Sequence, residues 1–128
     1  MTKVALVTGS SGGLGHAIAL ELARAGMDTA LHCYRHSEEL AQLQNDILAL
    51  GRKSVIVTAD LRDAKAAEEM VQDVLDNLGR IHVLINSAGI SRDGVAWKLR
   101  PEDWENVVST NLTGTFHSTR AVLPTMRE

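Results

Sequence analysis

The sequence predicts a doubly wound parallel α/β sheet. Three observations predict it. Strand-like and helix-like segments alternate along the whole chain, the strand segments are apolar without polar alternation, and a glycine-rich turn joins the first strand to the first helix. A strand without alternation is buried on both faces, and helices between successive strands supply the cover. Right-handed crossovers then give the strand order 3-2-1-4. The 128 residues suffice for one domain with one modest core.

The first strand is residues 3–7, a short apolar run ended by Thr8 and Gly9. A helix follows over about 13–25, with Leu14, Ile18 and Leu22 as its apolar stripe and Gly26 as its C-terminal cap. The second strand is 29–34. Ser37 caps a helix that runs to Leu50, with Leu40, Leu43, Ile47 and Leu50 on one face, and Gly51 ends it. The third strand, 54–59, stops at Asp60. The third helix starts near Asp63, buries Ala67, Val71, Val74 and Leu78, and stops at Gly79. The fourth strand is 81–86, and a polar loop over 87–100 follows it. Pro101 opens a fourth helix, with Glu102 and Asp103 at its positive end and Trp104, Val107 and Val108 on its buried side. A further helix over 112–127 turns Leu112, Phe116, Leu123 and Met126 inward. Pro124 kinks or ends it unless the freed carbonyl finds another partner.

Ligands of such sheets bind at the carboxyl ends of the strands, where the winding reverses between strands one and four. The turn Thr8-Gly9-Ser10-Ser11-Gly12-Gly13-Leu14-Gly15 falls there, as do Asp60 and Asn86-Ser87-Ala88-Gly89. A helix that starts at such a turn points unpaired N–H groups and the positive end of its dipole at it, and glycines let a diphosphate come close. A nucleotide cofactor site is therefore expected.

Net charge is −3, which gives no reason to expect nucleic-acid or membrane-surface binding. No apolar run is long enough to span a bilayer, and the amino terminus enters a strand directly. The single cysteine, Cys33, excludes an intramolecular disulfide framework. Together these favour a cytoplasmic location. The five histidines lack metal-ligand spacing, so no metal site is expected and each is read as a surface or packing residue.

Four motifs in order resemble the short-chain dehydrogenase/reductase family. They are Thr8-Gly9-x3-Gly13-Leu14-Gly15, Asp60-Leu61, Asn86-Ser87-Ala88-Gly89 (with Ser87 where the family has a second Asn) and Asn111-Leu112-Thr113-Gly114. The stretch from Ala88 to Gly94 is most similar to 3-oxoacyl-carrier-protein and acetoacetyl-CoA reductases. The resemblance implies a Rossmann-like dinucleotide-binding domain over 1–128. It implies that Gly9, Ser10, Ser11, Gly13, Leu14 and Gly15 cradle the pyrophosphate, the two serines adding hydroxyls or belonging to a solvated turn. Asp60, with Leu61, would meet the adenine; the alternative for Asp60 is a cap of the third helix. Ala88 and Gly89 would leave room for the adenosine ribose, while Asn86 holds strand four against its neighbour. Asn111 would belong to a catalytic tetrad, kinking its helix and binding a water, or would be a buried helix-breaking residue.

The end of strand two decides between cofactors. No carboxylate appears there before Glu38, and Arg35 suits a 2′-phosphate, so NADP is expected over NAD. Gly12 stands where many NADP-binding relatives carry a basic residue. The family also uses a Ser, a Tyr and a Lys four residues after the Tyr. The only tyrosine is Tyr34, and four residues on stands Glu38. The 128-residue chain is thus expected to be the cofactor-binding half of an oxidoreductase acting on a ketone or secondary alcohol, with a 3-oxoacyl thioester of acyl carrier protein or CoA as substrate, and to be inactive alone. The alternatives are a non-catalytic dinucleotide-binding module and a structural half-fold. Strand four as a bare apolar edge and the helix over 112–127 are expected to drive self-association, as a homo-oligomer.

Overall fold

The computed structural model describes residues 1–128. Four parallel strands, β1 (Val4–Val7), β2 (Asp28–Cys33), β3 (Ser54–Thr58) and β4 (Val83–Ile85), form one sheet in the order β3-β2-β1-β4. The helices are α1 (Gly13–Arg24), α2 (Glu38–Ala49), α3 (Ala64–Leu78), α4 (Pro101–Val107) and α5 (Gly114–Met126). Ala5 lies opposite Thr29 and Val83, and Thr29 opposite Ser54.

Successive side chains of a strand point to opposite faces, and here each face has its own core. Val7, Leu31 and Cys33 pack with Ala19, Ala23, Leu40, Leu43 and Ile47 of α1 and α2. Val4, Leu6, Ala30 and Val57 pack with Ala67, Met70, Val71 and Val74 of α3 and Val122 of α5. The sheet is thus covered on both faces, as the lack of alternation predicts.

Caps and stops follow the chemistry of their residues. The Ser37 hydroxyl accepts the Leu40 N–H at 3.2 Å, and the Asp63 carboxylate accepts the Lys65 N–H at 3.0 Å. Gly26, Gly51 and Gly79 end the first three helices at positive φ. Strand β4 is shorter than expected, but His82 N–H to Val4 C=O (2.8 Å) and Thr8 N–H to Ile85 C=O (2.9 Å) prolong its pairing with β1.

Three expected helix faces are wrong in part, although Leu22 of α1 packs at the core edge as expected. On α1 the buried residues are Gly15, Ala19 and Ala23, while Leu14 is 71% exposed. On α5 they are Gly114, Ser118 and Val122, while Leu112 and Phe116 are 70% and 60% exposed and Leu123 is exposed as well; only Met126 reaches the core edge. Trp104 of α4 is exposed. Close approach explains the first two. A methyl at Gly15 would collide with the Gly9 carbonyl, and one at Gly114 would sit 3.2 Å from Leu61 Cβ. Small residues face inward because the backbones already touch.

The fourth and fifth helices are also not separate. A π-helical turn over Val108–Thr113 joins α4 to α5 without a break, and α5 continues past Pro124 to Met126.

Candidate functional site

The glycine-rich turn is shaped by what it touches. Gly9 has φ +64°, and a Cβ there would lie 2.6 Å from Ala88 Cα and 2.8 Å from the Ser87 carbonyl oxygen. Both conformation and space restrict this position to glycine. The N-cap of α1 is Gly12, which offers no side-chain acceptor, and no acidic residue stands in the first turn. The first N–H groups of α1 therefore lack side-chain partners and suit an anion.

Thr8 fastens this turn to the segment after β4. Its buried hydroxyl accepts the N–H groups of Ser87 and Ala88, both at 3.1 Å, and donates to the Ile85 carbonyl at 3.4 Å. Those three bonds use the hydroxyl's full capacity.

Around the turn lies a cavity of about 380 Å³ at the carboxyl ends of the strands. Of the residues expected at the site, Gly9, Ser11, Asp60, Leu61, Ala88 and Gly89 line it. Gly13, Leu14 and Gly15 form the adjoining start of α1 instead. Ser10 is fully buried and its hydroxyl donates to the Val7 carbonyl, so it braces the turn from within rather than offering a free hydroxyl. Asn86 does not tie strand to strand: its Nδ2 donates to Thr119 Oγ1 of α5 at 3.3 Å.

Asp60 does not cap α3, since Asp63 does. Its carboxylate is instead forked by Arg62, with Nη2 donating to Oδ2 at 2.7 Å and Nε to Oδ1 at 2.9 Å. The Arg62 N–H adds a third bond at 3.0 Å. Those side-chain bonds hold the Asp60 carboxyl below its usual range, burial opposing them. Arg62 also reaches Asn106 Oδ1 of α4 at 3.4 Å, and both residues line the cavity.

At the end of β2, Cys33 is buried in the core beside α1 and α2, and burial raises its thiol pKa. Tyr34 is the next residue and lines the cavity. Arg35 is exposed, its guanidinium carbon 5.5 Å from the centre of the Tyr34 ring.

Asn111 sits in the π-helical turn and is exposed, not buried. Its Oδ1 accepts the Ile90 N–H and its Nδ2 donates to the Ile90 carbonyl, both at 2.8 Å. Its own carbonyl accepts the Thr115 hydroxyl at 2.8 Å. The side chain thus clamps the segment after β4 to the helix.

His32, expected as no more than a surface or packing residue, belongs to the site. It is buried at the carboxyl end of β2, lines the cavity, and bonds to both Gly9 and Ala59. A polar residue inside an otherwise apolar strand, level with the turn, was the available signal.

A family model described as short chain dehydrogenase matches residues 3–128. The chain belongs to the short-chain dehydrogenase/reductase family. Among its relatives is a 3-oxoacyl-[acyl-carrier-protein] reductase of Staphylococcus aureus, 36% identical over 126 residues, which cover 98% of this chain and 51% of the relative. Another is a 3-oxoacyl-[acyl-carrier-protein] reductase of Synechocystis, 39% identical over 120 residues, covering 94% of this chain and 49% of the relative. A short-chain dehydrogenase/reductase double mutant from Serratia marcescens superimposes with a TM-score of 0.92 at 27% identity, covering 97% of this chain and 51% of that one. The chain spans about half the length of these relatives. In this member of the family the motifs meet at one end of the sheet, where Gly9, Asp60, Leu61, Ala88 and Gly89 line one cavity and Asn111 bonds to Ile90 beside them. No helix is long and apolar enough to cross a membrane.

Proposed function

We propose that residues 1–128 are the dinucleotide-binding domain of an NADP-dependent oxidoreductase. The reaction is hydride transfer between nicotinamide and a ketone or secondary alcohol, with a 3-oxoacyl thioester of acyl carrier protein or CoA as substrate. One observation carries the reading: the Gly9 turn, Asp60 and Ala88-Gly89 line a single cavity beside an uncapped helix start. The residues fit a dinucleotide, because the backbone N–H groups at the start of α1 suit a diphosphate and Gly9 keeps the turn tight enough to present them. The cofactor supplies the hydride. Gly13, Leu14 and Gly15 bind the pyrophosphate through N–H groups, with Ser11 adding its hydroxyl. Asp60 accepts from the base at the one acceptor site of Oδ2 that the three Arg62 N–H groups leave over, and Leu61, Ala88 and Gly89 give the adenosine its apolar and small-residue walls. Asn111 holds Ile90 and so the segment that faces the nicotinamide half.

The substrate class is supported by the 3-oxoacyl-[acyl-carrier-protein] reductases among the relatives. NADP is supported by the exposed Arg35 just after β2 and by the lack of a carboxylate between Cys33 and Glu38. The test is NADPH binding by calorimetry beside NADPH oxidation with a short 3-oxoacyl thioester. Binding without turnover is expected for the 128 residues, and no binding of NADPH or NADH would overturn the reading. Replacing Arg35 with Asp should move the preference toward NADH. An R35D protein that keeps its NADPH preference would remove Arg35 from the argument.

A further inference from the structure

His32 is 2% exposed, and its two ring nitrogens face groups that leave no choice of role. The Gly9 amide can only donate, so Nδ1, 3.1 Å away, presents a lone pair. The Ala59 carbonyl can only accept, so Nε2, 2.9 Å away, carries the proton. The neutral Nε2–H tautomer alone satisfies both. A second proton would set N–H against N–H at Gly9. The main chain adds a third tie, with Ser10 N–H donating to the His32 carbonyl at 2.8 Å.

The two groups joined by this ring belong to different parts of the site. Gly9 is in the turn at the start of α1, and Ala59 immediately precedes Asp60. We infer that His32 is a positioning residue for the dinucleotide, its neutral imidazole setting the spacing between the pyrophosphate turn and the adenosine end. The inference rests on the dinucleotide reading above and adds to it a residue that no motif contains.

The charged and titratable groups that line the cavity with His32 are few. Tyr34 lies just beyond β2, Asp60 and Arg62 come from the segment after β3, and Arg92 from the loop after β4. The turn, α4 and the π-helical turn present only Ser11, Asn106 and Thr110. Asp60 is already forked by Arg62, so no free carboxylate favours a charged ring. Desolvation lowers the His32 pKa, against the bond to the Ala59 carbonyl, which raises it. The folded state therefore keeps the ring neutral, and its contribution to folding stability is full above the unfolded value of about 6.5 and declines as pH falls below it.

The experiment combines nitrogen NMR of the imidazoles with calorimetric titration of NADP and ADP-ribose from pH 8 to pH 5.5. At pH 8 the unaltered protein should show His32 as the Nε2–H tautomer, and either nucleotide should shift its resonances without changing the tautomer. His32→Val, which removes both bonds, should weaken both nucleotides about tenfold at pH 8 and flatten the acid-side loss of folding stability that His32 causes, read by urea denaturation over the same pH range. His32→Gln, which offers an acceptor and a donor that do not titrate, should recover part of the affinity and keep the flatter profile. A ring found as Nδ1–H, or unmoved by a nucleotide that binds, overturns the inference even if the valine variant fails to fold. Equal affinity and an identical pH profile in folded His32→Val overturn it while leaving the dinucleotide reading intact. An unaltered protein that binds neither nucleotide overturns both.

Discussion

Thr8 shows how much of this site rests on single side chains. Its hydroxyl holds two N–H groups of the segment after β4. Thr8→Val leaves both without that acceptor and should cost about 2–4 kcal/mol, whereas Thr8→Ser, losing a methyl, should cost about 1 kcal/mol. Urea denaturation separates the two. Gly9 and Gly12 make a second pair. Gly9→Ala meets both a positive φ and Ala88 and should destabilise by about 2–3 kcal/mol. Gly12 has extended backbone and open space around it, so Gly12→Ala should stay within about 0.5 kcal/mol. Asp60 adds a pH term. Its folded pKa is depressed, so the contribution is present above the unfolded value of about 3.9 and is lost as pH falls through the folded one. The pair is partly exposed, so Asp60→Asn should cost no more than about 1 kcal/mol at pH 7, and the difference should vanish in acid. The motifs brought the glycines, Asp60 and Ala88 into view, because a close approach of backbone to ligand demands particular residues at fixed spacing. They could not bring in Arg62, which stands two residues after Asp60 but belongs to no motif, or His32, whose partners Gly9 and Ala59 are distant in sequence.

At the scale of elements, order and type were legible throughout, and most boundaries fell within a residue or two. Apolar runs, caps and stop glycines act locally, and the parallel order follows from handedness. Faces were less legible. Leu14, Leu112 and Phe116 keep helical spacing but stand exposed, because Gly15 and Gly114 bring their helices too near for large side chains. The π-helical turn was legible only in part: the resemblance put an irregularity at Asn111, and Val, Ser, Thr and Asn are weak helix formers, but only the bonds of Asn111 reveal its use. Asn111→Ala should release Ile90. Exchange of the Ile90 amide should accelerate, while global stability changes by no more than about 1.5 kcal/mol, because the bonds lie at the surface.

For the whole molecule, the consequential surface is the one the two cores leave open. Strand β4 pairs with β1 alone, and Leu112, Phe116 and Leu123 stand exposed on the helix beyond it. An unpaired edge and an apolar face favour association. At roughly tens of micromolar, sedimentation of the 128-residue chain should show species heavier than a monomer, and Phe116→Glu should shift them downward if the helix face mediates contact. A monomer for the unaltered chain contradicts this.

The continuous helix from α4 to α5 behaves as a phase shifter. Each residue of an α-helix turns the face by about 100°, and a π-helical turn changes that advance over its length. The turn itself holds Ile90 through Asn111, and the half after it lays Gly114, Ser118 and Val122 against the core. Deleting a single residue from Val108–Thr113 would let the rod become uniform, and it would then lose one of those two engagements. The irregularity is the means by which one continuous element serves two surfaces that do not share its period.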